Sequence, residues 1–262
     1  MAKPKTKEFY SIAEFAEYAN RTPANAYSRT YEKDSFCPSD FDTALQDATT
    51  GNPEYVRDIF AGAEVMSQDV SDEISGYHRD VEGQFFDVAD VMSGEPEHWW
   101  AEDHAPARKV IRITAMIGMS CNAETSDINN RGAAIVSLCD EFQKQGAIVE
   151  LTLVKAVIYN GRKYIATIHV PTNPLDIDAV AFAVANPAAN RRLGFAYLEV
   201  ESGKRNCLSY GQTTSCVEDG QDFIFPPIMH HGGNWLTLDT AKRRVLYGLR
   251  THNANPGTPV IM

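Results

Sequence analysis

The chain has 262 residues, of which 44% are hydrophobic and 23% are charged, and this composition excludes a disordered or collagen-like chain. Its formal net charge of −11 argues against a protein that coats DNA, since such proteins are usually basic. The charge is uneven, because residues 1–107 hold 8 Lys/Arg and 22 Asp/Glu, whereas residues 108–262 hold 16 and 13. We therefore predict two domains, an acidic, mainly helical N-terminal region (1–107) and an α/β domain (108–262).

The cysteines and the N-terminus indicate a reduced, cytoplasmic protein. The cysteine count of five is odd and no CxxC pair occurs. Paired zinc ligands stand close together in sequence, whereas Cys207 and Cys216 are nine positions apart. The sequence shows neither the apolar segment of a signal peptide nor the roughly 18 apolar residues of a membrane span. We expect no membrane contact.

The N-terminal region is predicted to be mainly helical. A first helix is expected over residues 11–20, because Ser11 can cap it and Glu14 completes a capping box. Further helices are expected over 40–48 and from residue 52 onward. Trp99 and Trp100 follow an extended stretch and favour core packing or a protein contact over base stacking, because the surrounding residues are acidic.

The C-terminal part alternates between strands and helices. Asn160-Gly161 is the strongest hairpin turn signal in the chain. Helices between strands indicate an α/β fold with a mostly parallel sheet, one antiparallel hairpin at an edge, and helices on both faces. The predicted elements are, in order, strand 109–117, helix 131–146, strands 147–159 and 163–170, a helix from 177 that Asn186-Pro187 interrupt before a helical continuation over 188–200, strand 222–228 and helix 238–250.

This order of elements resembles the von Willebrand factor A (vWA) domain, a Rossmann-like fold. The family's metal site uses D-x-S-x-S after the first strand, a Thr after the hairpin and an Asp after the fourth strand. Ser120, Asn122 and Thr172 stand at matching positions, but Gly118 replaces the leading Asp and Pro226-Pro227 follow the fourth strand. Because both carboxylates are missing, we predict a degenerate metal site and no cofactor, with Mg²⁺ as the weaker alternative.

Three segments resemble a family of uncharacterised phage-encoded proteins: residues 40–53, 80–100 and 129–151. The resemblance spans most of the chain. It implies a viral or prophage origin, and with it the cytoplasm of an infected host cell. It implies little about chemistry.

Two adjacent histidines are the strongest candidate for a chemical site. His230 and His231 precede Gly232-Gly233 at the carboxyl end of a predicted strand, where open α/β sheets place their sites. Neighbouring side chains in an extended stretch point in opposite directions, which favours one packed and one exposed histidine over a shared metal. The hydrolase, nucleotide-binding and zinc-protease motifs GxSxG, GxxxxGK[ST], GxGxxG and HExxH are absent from the sequence.

The leading hypothesis is a non-enzymatic protein-interaction module with a phage or host protein as partner. The interaction surface is expected on the loops at one end of the sheet, residues 120–130, 172–173 and 230–234, which we call the loop face. Its predicted binding residues are Ser120, Asn122, Thr172, Asn173, His230, His231 and Asn234.

Two alternatives stay open. The first is an accessory factor in viral transcription or replication that binds single-stranded DNA or RNA through basic residues, although the same residues could instead bind the acidic N-terminal region. The second is a metal-dependent hydrolase around His230 and His231. The basic residues of the first alternative are Arg162, Lys163, Arg191, Arg192, Lys242, Arg243 and Arg244.

Overall fold

The computed structural model of the protein describes residues 3–34, 36–75, 77–80, 85–86, 88–94, 99–102, 110–120, 122–171, 176–205, 210, 212–216, 220–229, 231 and 233–262. The described helices are α1 (Ile12–Ala19), α2 (Tyr27–Thr30), α3 (Phe41–Thr50), α4 (Pro53–Ser75), α5 (Val88–Ser93), α6 (Thr125–Lys144), α7 (Ile177–Ala185), α8 (Phe195–Ser202) and α9 (Leu238–Ala254). A π-helical turn spans Ala189–Gly194, and a 3-10 turn spans Gly233–Trp235.

The described strands form one large and one small sheet. They are β1 (Lys5–Phe9), β2 (Tyr77–Asp80), β3 (Phe85–Phe86), β4 (Trp99–Glu102), β5 (Val110–Met116), β6 (Ile148–Tyr159), β7 (Arg162–Val170), β8 (Gln212–Thr213), β9 (Phe223–Phe225) and β10 (Val260–Ile261). The large sheet has the order β1-β7-β6-β5-β9-β10, with β8 paired to the end of β6, and the small sheet has the order β2-β4-β3. Most pairings in the large sheet are parallel, which confirms the α/β, Rossmann-like fold class.

The predicted hairpin joins β6 and β7. Asn160 and Gly161 both have positive φ, +48° and +72°, as a two-residue type I′ turn requires. The strand β7 does not lie at the edge of the sheet, however, because β1 pairs with it in parallel from Lys5↔Tyr164 to Phe9↔Ile168. The edge strand on this side of the sheet is therefore β1 from the N-terminal segment. The hairpin strand β7, which was expected at the edge, lies one position inside it.

The main hydrophobic core lies on one face of the large sheet. Alternate residues of β5, Ile111, Ile113 and Ala115, are fully buried there, and α1, α3, α4 and α6 to α9 all contribute to the same cluster. Residues of the opposite parity, such as Met116 and Val154, form a separate small cluster against which Cys216 packs. Helices were expected on both faces, whereas in the described part of the chain the second face is covered at this cluster by the segment around Cys216.

The acidic N-terminal region packs closely on the rest of the protein. The predicted boundary between residues 107 and 108 lies outside the described residues, but elements on its two sides share the main core. Helix α4 packs along α6, and a Cβ atom added at Gly62 would lie 2.9 Å from Ala133 Cβ. The two helix backbones therefore approach each other as closely as a glycine permits.

We predict that Gly62→Val lowers the free energy of unfolding by about 2 kcal/mol, because the added side chain must separate α4 from α6. Urea denaturation measures the change. The control is Val65→Ala, at a position 60% exposed on α4, which is expected to change stability by less than about 0.5 kcal/mol. If Gly62→Val left the urea midpoint of the sheet unchanged, α4 would unfold independently of the sheet. That result would contradict the prediction.

Candidate functional site

The ladder between β5 and β9 is interrupted at its carboxyl end. The two strands pair in parallel up to Ala115↔Phe225, and Pro226-Pro227, which have no N–H to donate, come next. Backbone pairing resumes beyond the prolines, where Ile228 donates to Gly118 O at 3.2 Å and Ser120 donates to Ile228 O at 2.7 Å. The prolines thus supply no N–H group to the ladder at this end of the two strands.

Arg131 of α6 fills this interruption. Its side chain is fully buried, and its Nη2 donates to Met116 O at 2.9 Å and to Phe225 O at 3.0 Å, the carbonyls at the ends of β5 and β9. Burial lowers the pKa of Arg131 to about 9. The guanidinium therefore replaces the donors that the prolines lack, and it ties α6 to both strands.

Asp127, one turn before Arg131 on α6, joins two segments of the loop face. Its side chain is fully buried, and its Oδ2 accepts from Glu124 N at 3.0 Å as part of a capping box. The same oxygen lies 2.9 Å from Nδ1 of His231. Because a carboxylate can only accept, Nδ1 of His231 is the donor, and the imidazole is held in a fixed orientation.

The environment of His231 favours its charged form. The hydrogen bond to Asp127 is the largest cause of a raised pKa, and the charges of Asp127 and Glu124 act in the same direction. The Glu124 carboxylate lies 3.8 Å from Nδ1. The ring remains about 42% exposed, so that the loop face presents the imidazole to solvent.

Apolar side chains flank the loop face on the segment that carries His231. Met229 is 40% exposed and Leu236 is 46% exposed. Between them, Trp235 is buried against the Phe225 ring, with 5.9 Å between the ring centroids, and its carbonyl accepts from Asn130 Nδ2 at 2.9 Å. A buried tryptophan therefore anchors a segment whose neighbouring apolar groups face solvent.

The structure brings several of the predicted binding residues to this edge. Ser120 and Asn122 are adjacent, with Asn122 N donating to Ser120 Oγ at 3.2 Å, and His231 meets α6 through Asp127. Asn234 is exposed in the same 3-10 turn as Trp235. Three predicted residues lie outside the described part of the chain: Thr172, Asn173 and His230.

Sequence reasoning missed Asp127 and Arg131, although they organise this edge. The polar character of residues 125–130 predicts a loop, whereas α6 begins at Thr125. An acidic residue in the first turn of a helix was the available signal for Asp127, since such residues cap helices. The amphipathic pattern offers no comparable signal for Arg131.

The described residues fit a divalent metal poorly. At the positions that resemble a metal site, Ser120 and Asn122 offer only neutral oxygens, and the described chain contains no group of three or more His, Cys, Asp or Glu side chains that could hold a metal ion. The Nδ1 atom of His231 is already engaged by Asp127. The described thiols, Cys37, Cys139 and Cys216, are free.

Arg192 cannot belong to a nucleic-acid surface, because its side chain is fully buried. It donates from Nε to Ser39 O at 2.9 Å, and from Nη1 to Tyr31 O at 2.8 Å and Ser28 O at 3.3 Å. This corrects the prediction that Arg192 contributes to a basic patch. Its neighbour Arg191 is half-buried.

The basic residues of α9 contact the acidic α4. Lys242 Nζ lies 2.6 Å from Asp69 Oδ2, and Arg250 Nε lies 2.8 Å from Glu73 Oε2. Of the predicted basic residues, Lys242 thus contacts the acidic N-terminal region. Lys242 is therefore not a free cation on an open basic surface.

Three of the remaining predicted basic residues, Lys163, Arg243 and Arg244, also have local partners. Arg243 pairs with Asp239 at 2.7 Å, and Arg244 donates to the carbonyl of Ile261. Lys163 donates to Ser215 O at 2.9 Å on the second face of the sheet, next to Arg162 at the hairpin. The described contacts therefore distribute these residues over α9, the hairpin and the interior.

Together, the fold and these contacts define a Rossmann-like α/β protein. A buried arginine joins the carboxyl ends of two of its neighbouring strands, β5 and β9. The chain belongs to the DUF7192 family, described as a domain of unknown function, whose family model matches residues 3–245. No curated protein and no solved structure matches the chain. Among the described helices, none combines the length and apolar character needed to cross a membrane.

We predict that Arg131→Met lowers the free energy of unfolding by about 3 kcal/mol, because it removes two buried, charge-assisted hydrogen bonds to the ends of β5 and β9. Chemical denaturation measures the loss. The matched control is Arg112→Met on β5, where an exposed arginine pairs with Glu150, and there we expect a cost of about 1 kcal/mol or less. An equal loss of unfolding free energy in Arg131→Met and Arg112→Met would contradict the assignment of a stabilising role to the buried hydrogen bonds of Arg131.

We predict that NMR titration of the His231 ring gives a pKa above 6.5. Asp127→Asn should bring the pKa back toward 6.5, because the amide keeps an acceptor for Glu124 N but loses the charge. Since the folded-state pKa is raised, the contact stabilises the protein fully below pH 6.5 and this stabilisation is lost as the pH rises through the folded-state pKa. A His231 pKa that Asp127→Asn leaves unchanged would contradict this assignment.

Proposed function

We propose that the chain is a non-enzymatic protein-interaction module that binds a phage or host protein through its loop face. The observation that carries the proposal is the hydrogen bond between the buried Asp127 and His231. It joins two segments of the loop face and leaves the imidazole accessible beside exposed apolar side chains. Such a mixture of apolar and hydrogen-bonding groups is typical of protein-binding surfaces.

Two buried side chains beneath the loop face hold its segments in place, and this order favours binding. Arg131 fixes the ends of β5 and β9, and Trp235 anchors the segment between Met229 and Leu236. A surface that is ordered before binding loses less conformational entropy when a partner docks. A larger part of the interaction energy of the exposed side chains then contributes to the affinity for the partner.

The vWA-like character and the phage setting are part of the proposal. The strand order β7-β6-β5-β9-β10, with its single hairpin, supports a vWA-like arrangement with a degenerate metal site at Ser120 and Asn122. The resemblance of three sequence segments to phage-encoded proteins supports action in the cytoplasm of an infected cell. Contacts of the α9 cations with α4 favour a protein partner over nucleic acid.

The proposal is tested by capture from infected host cells on the purified protein. We expect the double variant Met229→Glu/Leu236→Glu to bind at least about tenfold less partner than the unmodified chain, because charges replace the exposed apolar groups that flank the loop face. Quantitative mass spectrometry measures the retained protein. The control is Val65→Glu, which changes an apolar residue that is 60% exposed on α4.

Partner recovery that falls in the double variant and persists in Val65→Glu supports the loop face as the binding surface. Recovery that is equal in all three proteins, or lost equally in both variants, contradicts it. Circular dichroism of each variant establishes that the fold is retained, because all three positions are exposed and their substitution should cost little stability.

A further inference from the structure

Lys155 is a buried cation without a charged partner. It lies on β6 and is only 2% exposed. Its Nζ donates to Oδ1 of Asn190, a neutral amide in the π-helical turn, and within the described chain no carboxylate lies within 4.0 Å of it. A buried ammonium with one neutral acceptor is costly, because it has left water without a compensating charge.

Arg191, in the same π-helical turn, brings a second cation to this place. Its guanidinium carbon lies 5.8 Å from the centre of the Phe195 ring, and Lys155 Nζ lies 5.8 Å from the same centre. The Nε atom of Arg191 is buried and has no hydrogen-bond partner among the described residues. After burial, the charge of Arg191 is the second cause that lowers the pKa of Lys155, to about 7.

The acidic residue whose charge acts on Arg191 is largely committed elsewhere. Asp34 accepts from Phe36 N at 3.0 Å and from Cys37 N at 2.6 Å, and Tyr31 donates to its other oxygen. These bonds keep the pKa of Asp34 below its ordinary value, the one from Tyr31 being the largest cause. Asp34 thus organises its own turn and forms no ion pair within 4.0 Å with Arg191 in the described chain.

The other two buried arginines contact the backbone, although Nε of Arg131 and Nη2 of Arg192 also have no hydrogen-bond partner among the described residues. Arg131 donates to two backbone carbonyls and Arg192 to three. Lys155 and Arg191 donate to no backbone carbonyl in the described chain. Lys155 thus has the amide of Asn190 as its acceptor, and the Nε of Arg191 has none among the described residues.

The local backbone makes room for this pair of cations. A Cβ atom added at Gly194 would lie 3.2 Å from Lys155 Cε and 3.3 Å from Asn190 Oδ1. The π-helical turn and its glycine thus admit the lysine from the strand below. Turns of this kind occur frequently at functional sites.

We propose that Lys155 and Arg191 form a binding site for a small phosphate-like oxyanion. Arg191 offers a planar fork of donors, and Lys155 adds a compact charge from the interior. Because Arg191 is half-buried, solvent reaches the outer side of the site. The oxyanion compensates the charge of Arg191 and favours the protonated form of Lys155, whose pKa burial lowers to about 7.

Isothermal titration calorimetry with inorganic phosphate and with pyrophosphate tests this site, and sodium chloride at matched ionic strength is the blank. We expect at least one of the two oxyanions to bind. Lys155→Met and Arg191→Gln should each weaken the affinity by about tenfold or more, since each removes a charge-assisted contact. The control is Arg243→Gln, an exposed cation on α9 whose loss should leave the affinity unchanged.

Thermal unfolding gives an independent readout. The bound oxyanion should raise the Tm of the unmodified chain and of Arg243→Gln, but not of Lys155→Met, because only a folded chain with both cations binds it. Should Lys155→Met fail to fold, Arg191→Gln at its half-buried position decides the outcome. Absence of binding heat and of a Tm rise beyond that of chloride overturns the site, as does a response that persists in Arg191→Gln.

Discussion

The carboxyl edge of the sheet depends on two hydrogen bonds from one buried arginine. Pro226-Pro227 cannot continue the ladder between β5 and β9, and Arg131 reaches from α6 to donate where they cannot. Pairing then resumes beyond the prolines, at the bridge Met119↔Ile228. Because the same helix carries Asp127 one turn earlier, the position of Arg131 also determines where Asp127 meets His231. The geometry of the loop face thus follows from the chemistry of an interrupted strand pair.

Opposite charges explain why an acidic N-terminal region belongs to this fold. Asp69 and Glu73 of α4 contact basic residues of α9, and these pairs lie at the margin of an apolar α4–α6 contact. In the interior, Glu199 of α8 accepts from Thr22 Oγ1 at 2.7 Å and from Ser28 N at 3.0 Å. The uneven charge along the sequence therefore reflects complementary surfaces of one packed structure, in which the acidic segment neutralises part of the basic one.

Elements with local signals could be predicted from the sequence, and elements that depend on distant partners could not. The hairpin at Asn160-Gly161 and the helix cap at Ser11 can be predicted from a few neighbouring residues, because the chemistry of turns and caps is local. Strand β1 has a single buried residue, Phe9, and its partner β7 lies about 160 positions away, so no periodicity reveals it. The same holds for Arg131, whose role exists only once two proline-interrupted strands lie beside α6.

Buried cations also show how structural and ligand-binding roles can be distinguished. Arg131 and Arg192 each direct donors at two or more backbone carbonyls, so that the charge lies against fixed dipoles and the fold gains rigidity. Lys155 has only the amide of Asn190, and the Nε of Arg191 has no partner in the described chain. A cation that completes the backbone is explained by the fold alone. Lys155 and Arg191 donate to no backbone carbonyl among the described residues, and the proposed oxyanion accounts for their proximity.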